Sequence, residues 1–352
     1  MSEVAPITTA PAVSVICAAY NGAAWLPETI DSLRRQRLRD FEAVIVDDAS
    51  TDATPQVLAA IGDPRFIVVT NERNSYLTYT RNRAVSNARG RYIAVTDQDD
   101  LSHPERLQRQ TEFLDSTPKA SAVYSLVQGI DGSGRPLRGA VDWAYGGQQA
   151  RAALMFHNFV THSALMFRRE CVAGAPYAPD YPLCEDYRLI VQLADSGEGI
   201  FPLRHRLVKY RFHGSNHTTE AFDRMQRYSR LLRRDLLTRI GLSPTDSEMD
   251  LHAAFESPPG MPSLPALRAC REWLAHLIEA NRLSGYVPGR DFDAVVADKW
   301  LDVTHKHSAL GREAWRCYEA GPRTLLEARH WLSVGSLWVK TMLRRPSVGG
   351  QA

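Results

Sequence analysis

Four apolar, largely β-branched runs punctuate the first hundred residues: VSVICA (13–18), FEAVIVD (41–47), RFIVVT (65–70) and RYIAVT (91–96). Between them lie AAWLPETIDSLRRQ, DATPQVLAAI and TYTRNRAVSNAR, which read as helices. Strands alternating with helices of this length predict βαβ units on a parallel sheet. The runs are nearly continuous in apolar residues, as strands covered on both faces require. Beyond residue 104 the pattern predicts a helix over ERLQRQTEFLDS and a strand at ASAVYSLV, then a hairpin or surface loop at GIDGSGRPLRGA. Further strands are predicted at HSALMFRR (162–169) and HRLVKYRFH (205–213), with a short helix over EDYRLIVQLADSG between them. From about residue 219 only helical stretches remain, broken at SPTDS, SPPGMPSLP and YVPGR. The expected organisation is a disordered amino terminus (1–11), an α/β domain (12–219) and an all-helical region (220–352).

Composition narrows the class. The chain has 352 residues, 44% hydrophobic and 23% charged, which is ordinary for a soluble globular protein. A formal net charge of +2 argues against nucleic acid as a partner. Five cysteines, at 17, 171, 184, 270 and 317, form no C-x-x-C pair, which disfavours a zinc site or a disulfide framework and fits a reducing compartment. The amino end has no basic segment of the kind that opens a secretory signal. No window approaches the roughly 18 unbroken apolar residues of a membrane span. The expected location is the cytoplasm, with peripheral contact to the inner face of the membrane left open.

Open α/β sheets bind ligands at the carboxyl ends of their strands. In this chain those ends carry AAYNG after the first strand, DDASTD after the second and DQDD after the fourth. There is no G-x-G-x-x-G after the first strand and no P-loop, so dinucleotide oxidoreductases and P-loop NTPases lose their main support. Asp97, Asp99 and Asp100 fall within four positions, and like charges this close repel unless a cation sits among them. If a nucleotide phosphate binds here, a divalent cation held by the Asp97/Asp99 pair would neutralise it, since Mg²⁺ and Mn²⁺ prefer oxygen ligands shared between carboxylates and phosphates. Read alone, the motif is equally a solvated loop. His305 and His307 in THKHS share a side only on a strand; the segment reads as helical, so a structural role is expected.

At this point the residues resemble a known family. VSVICAAYNGAAWLPETIDSL followed by FEAVIVDDASTD is similar to the opening of family-2 glycosyltransferases, which have the GT-A fold. TRNRAVSNARGRYIAVTDQDD resembles that family's arginine-bearing helix, Gly-x-Tyr-Ile strand and D-x-D motif, and the likeness extends over roughly residues 11–219. It implies a Rossmann-like, mostly parallel sheet flanked by helices, and an inverting, metal-dependent transfer from a UDP- or dTDP-sugar to a saccharide or lipid-linked saccharide, in building a bacterial surface polysaccharide or similar glycan. By the same likeness Ala18, Tyr20, Asn21, Asp48 and Arg81 meet the nucleotide, Asp97 and Gln98 the ribose and metal shell, and Asp99 the Mn²⁺ or Mg²⁺ directly. Asp52 is expected to cap a helix and Asp100 to support or cap. In CEDY, Asp186 is expected to be the base and Glu185 to orient it or the acceptor. In YRFHG, His213 is expected to ligate metal or touch the diphosphate, while His162 and Ser163 line an acceptor pocket. One departure is NERNSYLT, with Ser75 where glycine is usual.

Two other readings stay open: a sugar-nucleotidyl transferase, which should show a Gly-rich basic loop that AAYNGAA lacks, and a non-catalytic nucleotide-sugar-binding module. The carboxyl region holds Trp273, Trp300, Trp315, Trp331 and Trp338. Its last stretch, RTLLEARHWLSVGSLWVKTMLRRP, suits a membrane-interface helix, a homo-oligomer contact, or packing on the catalytic domain.

Overall fold

The computed structural model describes residues 10–137, 144–213, 222–256, 261–321 and 331–343. Most of the expected disordered amino terminus, part of the GIDGSGRPLRGA loop and the expected 219/220 junction lie outside these residues. The chain divides into two compact units, residues 1–150 with 158–228, and residues 151–157 with 229–352. The division falls inside helix Phe222–Thr238.

The first unit is built on one eight-stranded sheet. Its strands are β1 (Val13–Ala19), β2 (Phe41–Asp47), β3 (Phe66–Thr70), β4 (Tyr92–Val95), β5 (Leu101–Ser102), β6 (Ala122–Asp131), β7 (Leu165–Arg168) and β8 (Ile200–Phe212). Their order is β3-β2-β1-β4-β7-β6-β8-β5. β1 to β4 are parallel to one another, and β8 is parallel to β6. β7 enters antiparallel between β4 and β6, so the sheet is mixed. The helices α1 (Leu26–Arg34), α2 (Thr54–Ala59), α3 (Tyr76–Asn87), α4 (Arg106–Ser116) and α6 (Glu185–Asp195) accompany it, with α5 (Gln148–Leu154) running across the division.

Every residue of β2 is buried, which explains its continuous apolar run. Val13, Val15, Phe41, Ala43, Tyr92 and Ala94 pack with Leu33, Leu107 and Leu114, while Cys17, Ala19 and Ile45 pack with Leu26, Ile30 and Leu58. Each large apolar side chain so enclosed contributes roughly 1.5–3 kcal/mol. Gly90 precedes β4 because a Cβ there would lie 2.4 Å from the Ser14 amide nitrogen. The Ser14 hydroxyl instead accepts the Gly90 N–H at 2.7 Å and donates to Glu42 at 2.6 Å. The predicted strand at 162–169 is shorter than expected: His162–Ala164 form a 3₁₀ turn and only Leu165–Arg168 pair.

The second unit is helical. Helices Leu264–Ser284 and Gly289–Lys306 bury Trp273, Leu277, Phe292, Val296 and Trp300. The Trp300 indole donates to the Tyr318 carbonyl at 3.2 Å and the Trp273 indole to His252 Nδ1 at 3.0 Å. Phe156 stacks on His252, which explains why residues 151–157 join this unit. His305 lies in helix Gly289–Lys306, and His307 follows its end with Nδ1 2.9 Å from the Val303 carbonyl. Among the described residues no helix is long and apolar enough to cross a membrane. Trp338 is half exposed; residues 323–330 and 344–346 of the expected interface helix lie outside the described set.

Candidate active site

The register pairs Ala19 with Asp47, so the loops after β1 and β2 leave the sheet side by side. Left-handed backbone at Asn21 (φ 48°) and Ala49 (φ 58°) turns each chain, a conformation that Asn tolerates better than most residues. Asn21 ties the two loops: its side-chain oxygen accepts the Thr51 N–H at 2.8 Å, and its own N–H reaches Ser50 Oγ at 3.0 Å. Asp52 accepts the N–H of Thr54 at 2.9 Å and of Ala23 at 3.1 Å, holding the starts of two helices. Asp48 is buried, and its Oδ1 accepts Asn71 Nδ2 at 2.6 Å and the Ser75 N–H at 2.8 Å. The path of the NERNSYLT loop is therefore set by Asp48, and the left-handed turn falls one residue later, at Tyr76 (φ 65°). Ala18 is half-buried at the end of β1 and Tyr20 is exposed.

Gln98, expected at the ribose and metal shell, has both ends of its amide engaged elsewhere. Its Oε1 accepts the Tyr20 N–H at 2.9 Å and its Nε2 donates to the Tyr20 carbonyl at 3.1 Å. The side chain works as a strut between the first and fourth loops. Gly22 makes room for it, since a Cβ there would meet Gln98 Oε1 at 2.2 Å.

Arg81, projecting from α3, joins the acids of the fourth loop to those of α6. Its guanidinium donates to Glu185 at 2.7 Å and to Asp97 at 3.1 Å, and it lies 5.7 Å from the centre of the Tyr177 ring. Burial works against its charge, and the two carboxylates more than restore it. Asn82, one residue on, holds Tyr177 by a reciprocal pair of bonds to its backbone, at 2.8 and 3.0 Å. Glu185 is buried; among the described residues its Oε2 has no hydrogen-bond partner. Asp186 follows in the first turn of α6, where its Oδ1 accepts the Tyr187 N–H at 2.7 Å. Burial first, and then the neighbouring Glu185 charge, push its pKa up to about 6 against the partial relief given by Arg81.

The three acids of the fourth loop take separate places. Asp100 is buried, accepts the Arg211 N–H at 2.9 Å and is bonded by the Ser163 hydroxyl. Burial, Asp97 and Asp99 all raise its pKa. Asp99 Oδ2 lies 2.8 Å from His213 Nε2, and burial together with Asp97 raises its pKa too. Two carboxylates and an imidazole in a poorly solvated place are a donor set that a divalent cation would relieve. Among the described residues, however, no three His, Cys, Asp or Glu groups come together closely enough to hold an ion alone. His162 and Ser163, expected to line an acceptor pocket, are both buried and hydrogen-bonded within the protein. Ser163 has no exposed surface because it serves Asp100, and His162 is buried with Nε2 3.0 Å from the Tyr177 hydroxyl.

Sequence reading passed over several residues of this neighbourhood: Gly22, Trp25, Glu28, Tyr177 and Arg211. The signal for Arg211 was present, since it stands two residues before His213, the spacing that places both on one side of a strand. Trp25 and Tyr177 carried no such signal.

An α/β domain with a D-x-D loop, a paired arginine and an acidic helix start at the rim of its sheet defines the class. Residues 14–172 match the family model described as glycosyl transferase family 2. An uncharacterized glycosyltransferase of Methanocaldococcus jannaschii is 26% identical over 223 residues, 62% of this chain and 77% of that one. The succinoglycan biosynthesis protein ExoO of Rhizobium meliloti is 42% identical over 127 residues, so the chain aligns with only 36% of ExoO's length. Residues 1–349 of S. aureus TarS, solved in complex with UDP-GlcNAc, share the fold with a TM-score of 0.51 at 18% identity, over 84% of this chain and 90% of that one. The match to glycosyl transferase family 2 spans residues 14–172, a little under half of the chain, so it is this domain that is similar to that family.

Proposed function

We propose that the protein transfers a sugar, with inversion and with the help of a divalent ion, from a nucleoside diphosphate to a hydroxyl of a saccharide or lipid-linked saccharide in polysaccharide assembly. The observation that carries this reading is Arg81, whose one guanidinium bonds both Asp97 of the D-x-D loop and Glu185 beside Asp186. In this reading the donor half and the acceptor half form one site, joined through Arg81. Support for the pathway comes from the name of ExoO, and for a nucleotide-sugar donor from the UDP-GlcNAc held by TarS.

In this reading Tyr20 stacks on or edges the base, Ala18 and Asn21 border it, and the buried Asp48 accepts from it. Asp99 and His213, with Asp97 nearby, would hold Mn²⁺ or Mg²⁺, leaving the remaining positions to diphosphate oxygens and water, as such ions prefer. Such an ion, when bound, would supply positive charge to neutralise that developing on the departing diphosphate. Asp186 accepts the proton as the acceptor oxygen bonds to the anomeric carbon and the bond from that carbon to the diphosphate oxygen breaks. Glu185, fixed by Arg81, places a second negative charge beside Asp186 and so keeps it basic.

The test is release of nucleotide from a panel of UDP-, dTDP- and GDP-sugars, with Mn²⁺ and with chelator. A donor consumed only with the ion, and not by Asp99→Ala, is the expected result. Full ion-dependent turnover by Asp99→Ala contradicts the assignment.

A further inference from the structure

Trp25 stands just before α1 and is half-buried. Its indole stacks on the His213 imidazole, with centroids 5.2 Å apart and planes 22° from parallel. The Arg211 guanidinium lies over the same indole at 4.8 Å. Arg211 is itself held from several directions. Its backbone N–H bonds Asp100, its Nε donates to the Asp99 carbonyl at 3.0 Å, and its guanidinium donates to the Gly132 carbonyl at 3.1 Å and to Glu28 at 2.8 Å. Glu28 is three residues beyond Trp25, which places the two on one side of the α1 start.

A stacked ring fixes the plane of its neighbour, and the ring nitrogens of histidine act in that plane. The stack on Trp25 is thus compatible with His213 Nε2 pointing at Asp99 Oδ2, 2.8 Å away. We infer that Trp25 is a positioning residue: it locks the His213 imidazole in the orientation in which it and Asp99 together face the metal-diphosphate, and it does so from an anchor built by Arg211 and Glu28. The inference rests on the metal reading proposed above and adds to it a residue that carries no ligand atom. Groups that orient a metal ligand typically change metal affinity by about 10–100-fold when removed.

The experiment is a titration of Mn²⁺ against the full chain, alone and with UDP or dTDP, reading free Mn²⁺ by electron paramagnetic resonance. Trp25→Phe keeps a flat ring and is expected to bind close to wild type. Trp25→Leu keeps apolar bulk without a stacking face and is expected to lose about 10–100-fold, no more than His213→Ala loses. The double variant Trp25→Leu/His213→Ala is expected to bind no more weakly than His213→Ala alone, because Trp25 acts through the histidine. Trp25→Gln, suited to a half-exposed position, gives the same comparison if the leucine variant does not fold. Wild-type affinity in Trp25→Leu beside a loss in His213→Ala overturns the positioning role and leaves the metal reading standing. Additive losses in the double variant also overturn it. Unchanged affinity in His213→Ala overturns the histidine's place at the metal, and the positioning role with it.

Discussion

Asp186 sits where a helix start would ordinarily stabilise a carboxylate, yet burial and Glu185 raise its pKa from 3.8 to about 6. Two consequences follow with opposite signs. In its proposed role as base it must be ionised, so kcat/KM should rise with pH through about 6 and level off above it. As a folded-state group with a raised pKa, it binds its proton more tightly folded than unfolded. The stability it allows is therefore fully present below pH 3.8 and is lost as pH rises through about 6. Asp186→Asn should then raise the metal-free Tm at pH 7.5 and leave it little changed at pH 4; an unchanged or lowered Tm at pH 7.5 contradicts the buried placement. At this scale the sequence exposed the acids but not their duties. Asp97 and Asp99 were readable as candidate chemistry because carboxylates crowd at the end of β4, and Asp186 because it opens a helix beside Glu185 in a stretch that resembles the family. The strut role of Gln98 was not, because it depends on knowing that residue 98 faces the backbone of residue 20 across two strands.

Among the elements, the parallel half of the sheet was legible because continuous apolar runs alternating with helices admit few other arrangements. The antiparallel half was not. The run at LMFR announces a strand but says nothing of its direction or of its place between β4 and β6. β8 begins at Ile200, earlier than expected, because IFPLR is too mixed in character to read as a strand alone. It pairs along β6 through irregular register near Leu126. The strand that carries Arg211 and leads into His213 is thus paired with β6 from Ile200 to Phe212. The same logic gives Gly90 its weight: it lets β4 approach β1 and delivers the fourth loop at the right height. Gly90→Ala should cost about 1–3 kcal/mol by the strain of forcing a methyl against Ser14, measurable by urea unfolding. A variant as stable as wild type would show that the approach of Gly90 to Ser14 is not tight.

At the scale of the molecule, the site residues discussed above all belong to the first unit, and the second was legible as helical and little more. Its internal order comes from buried tryptophans that also hydrogen-bond, Trp273 to His252 and Trp300 to Tyr318, pairings that no spacing in the sequence reveals. Residues 151–157 join this unit through Phe156 and Met155, whose carbonyl lies 2.8 Å from His252 Nε2. An apolar stretch in mid-chain does not say which core it will enter. For function, the central claim is that the acids joined by Arg81 form one transfer site with Asp186 as its base. The most direct measurement compares kcat for transfer to a saccharide acceptor, with Mn²⁺ present, in wild type and in Asp186→Asn of equal folded content. A drop of about 10²–10⁴-fold with donor affinity retained is the expected result; transfer at the wild-type rate would contradict the claim.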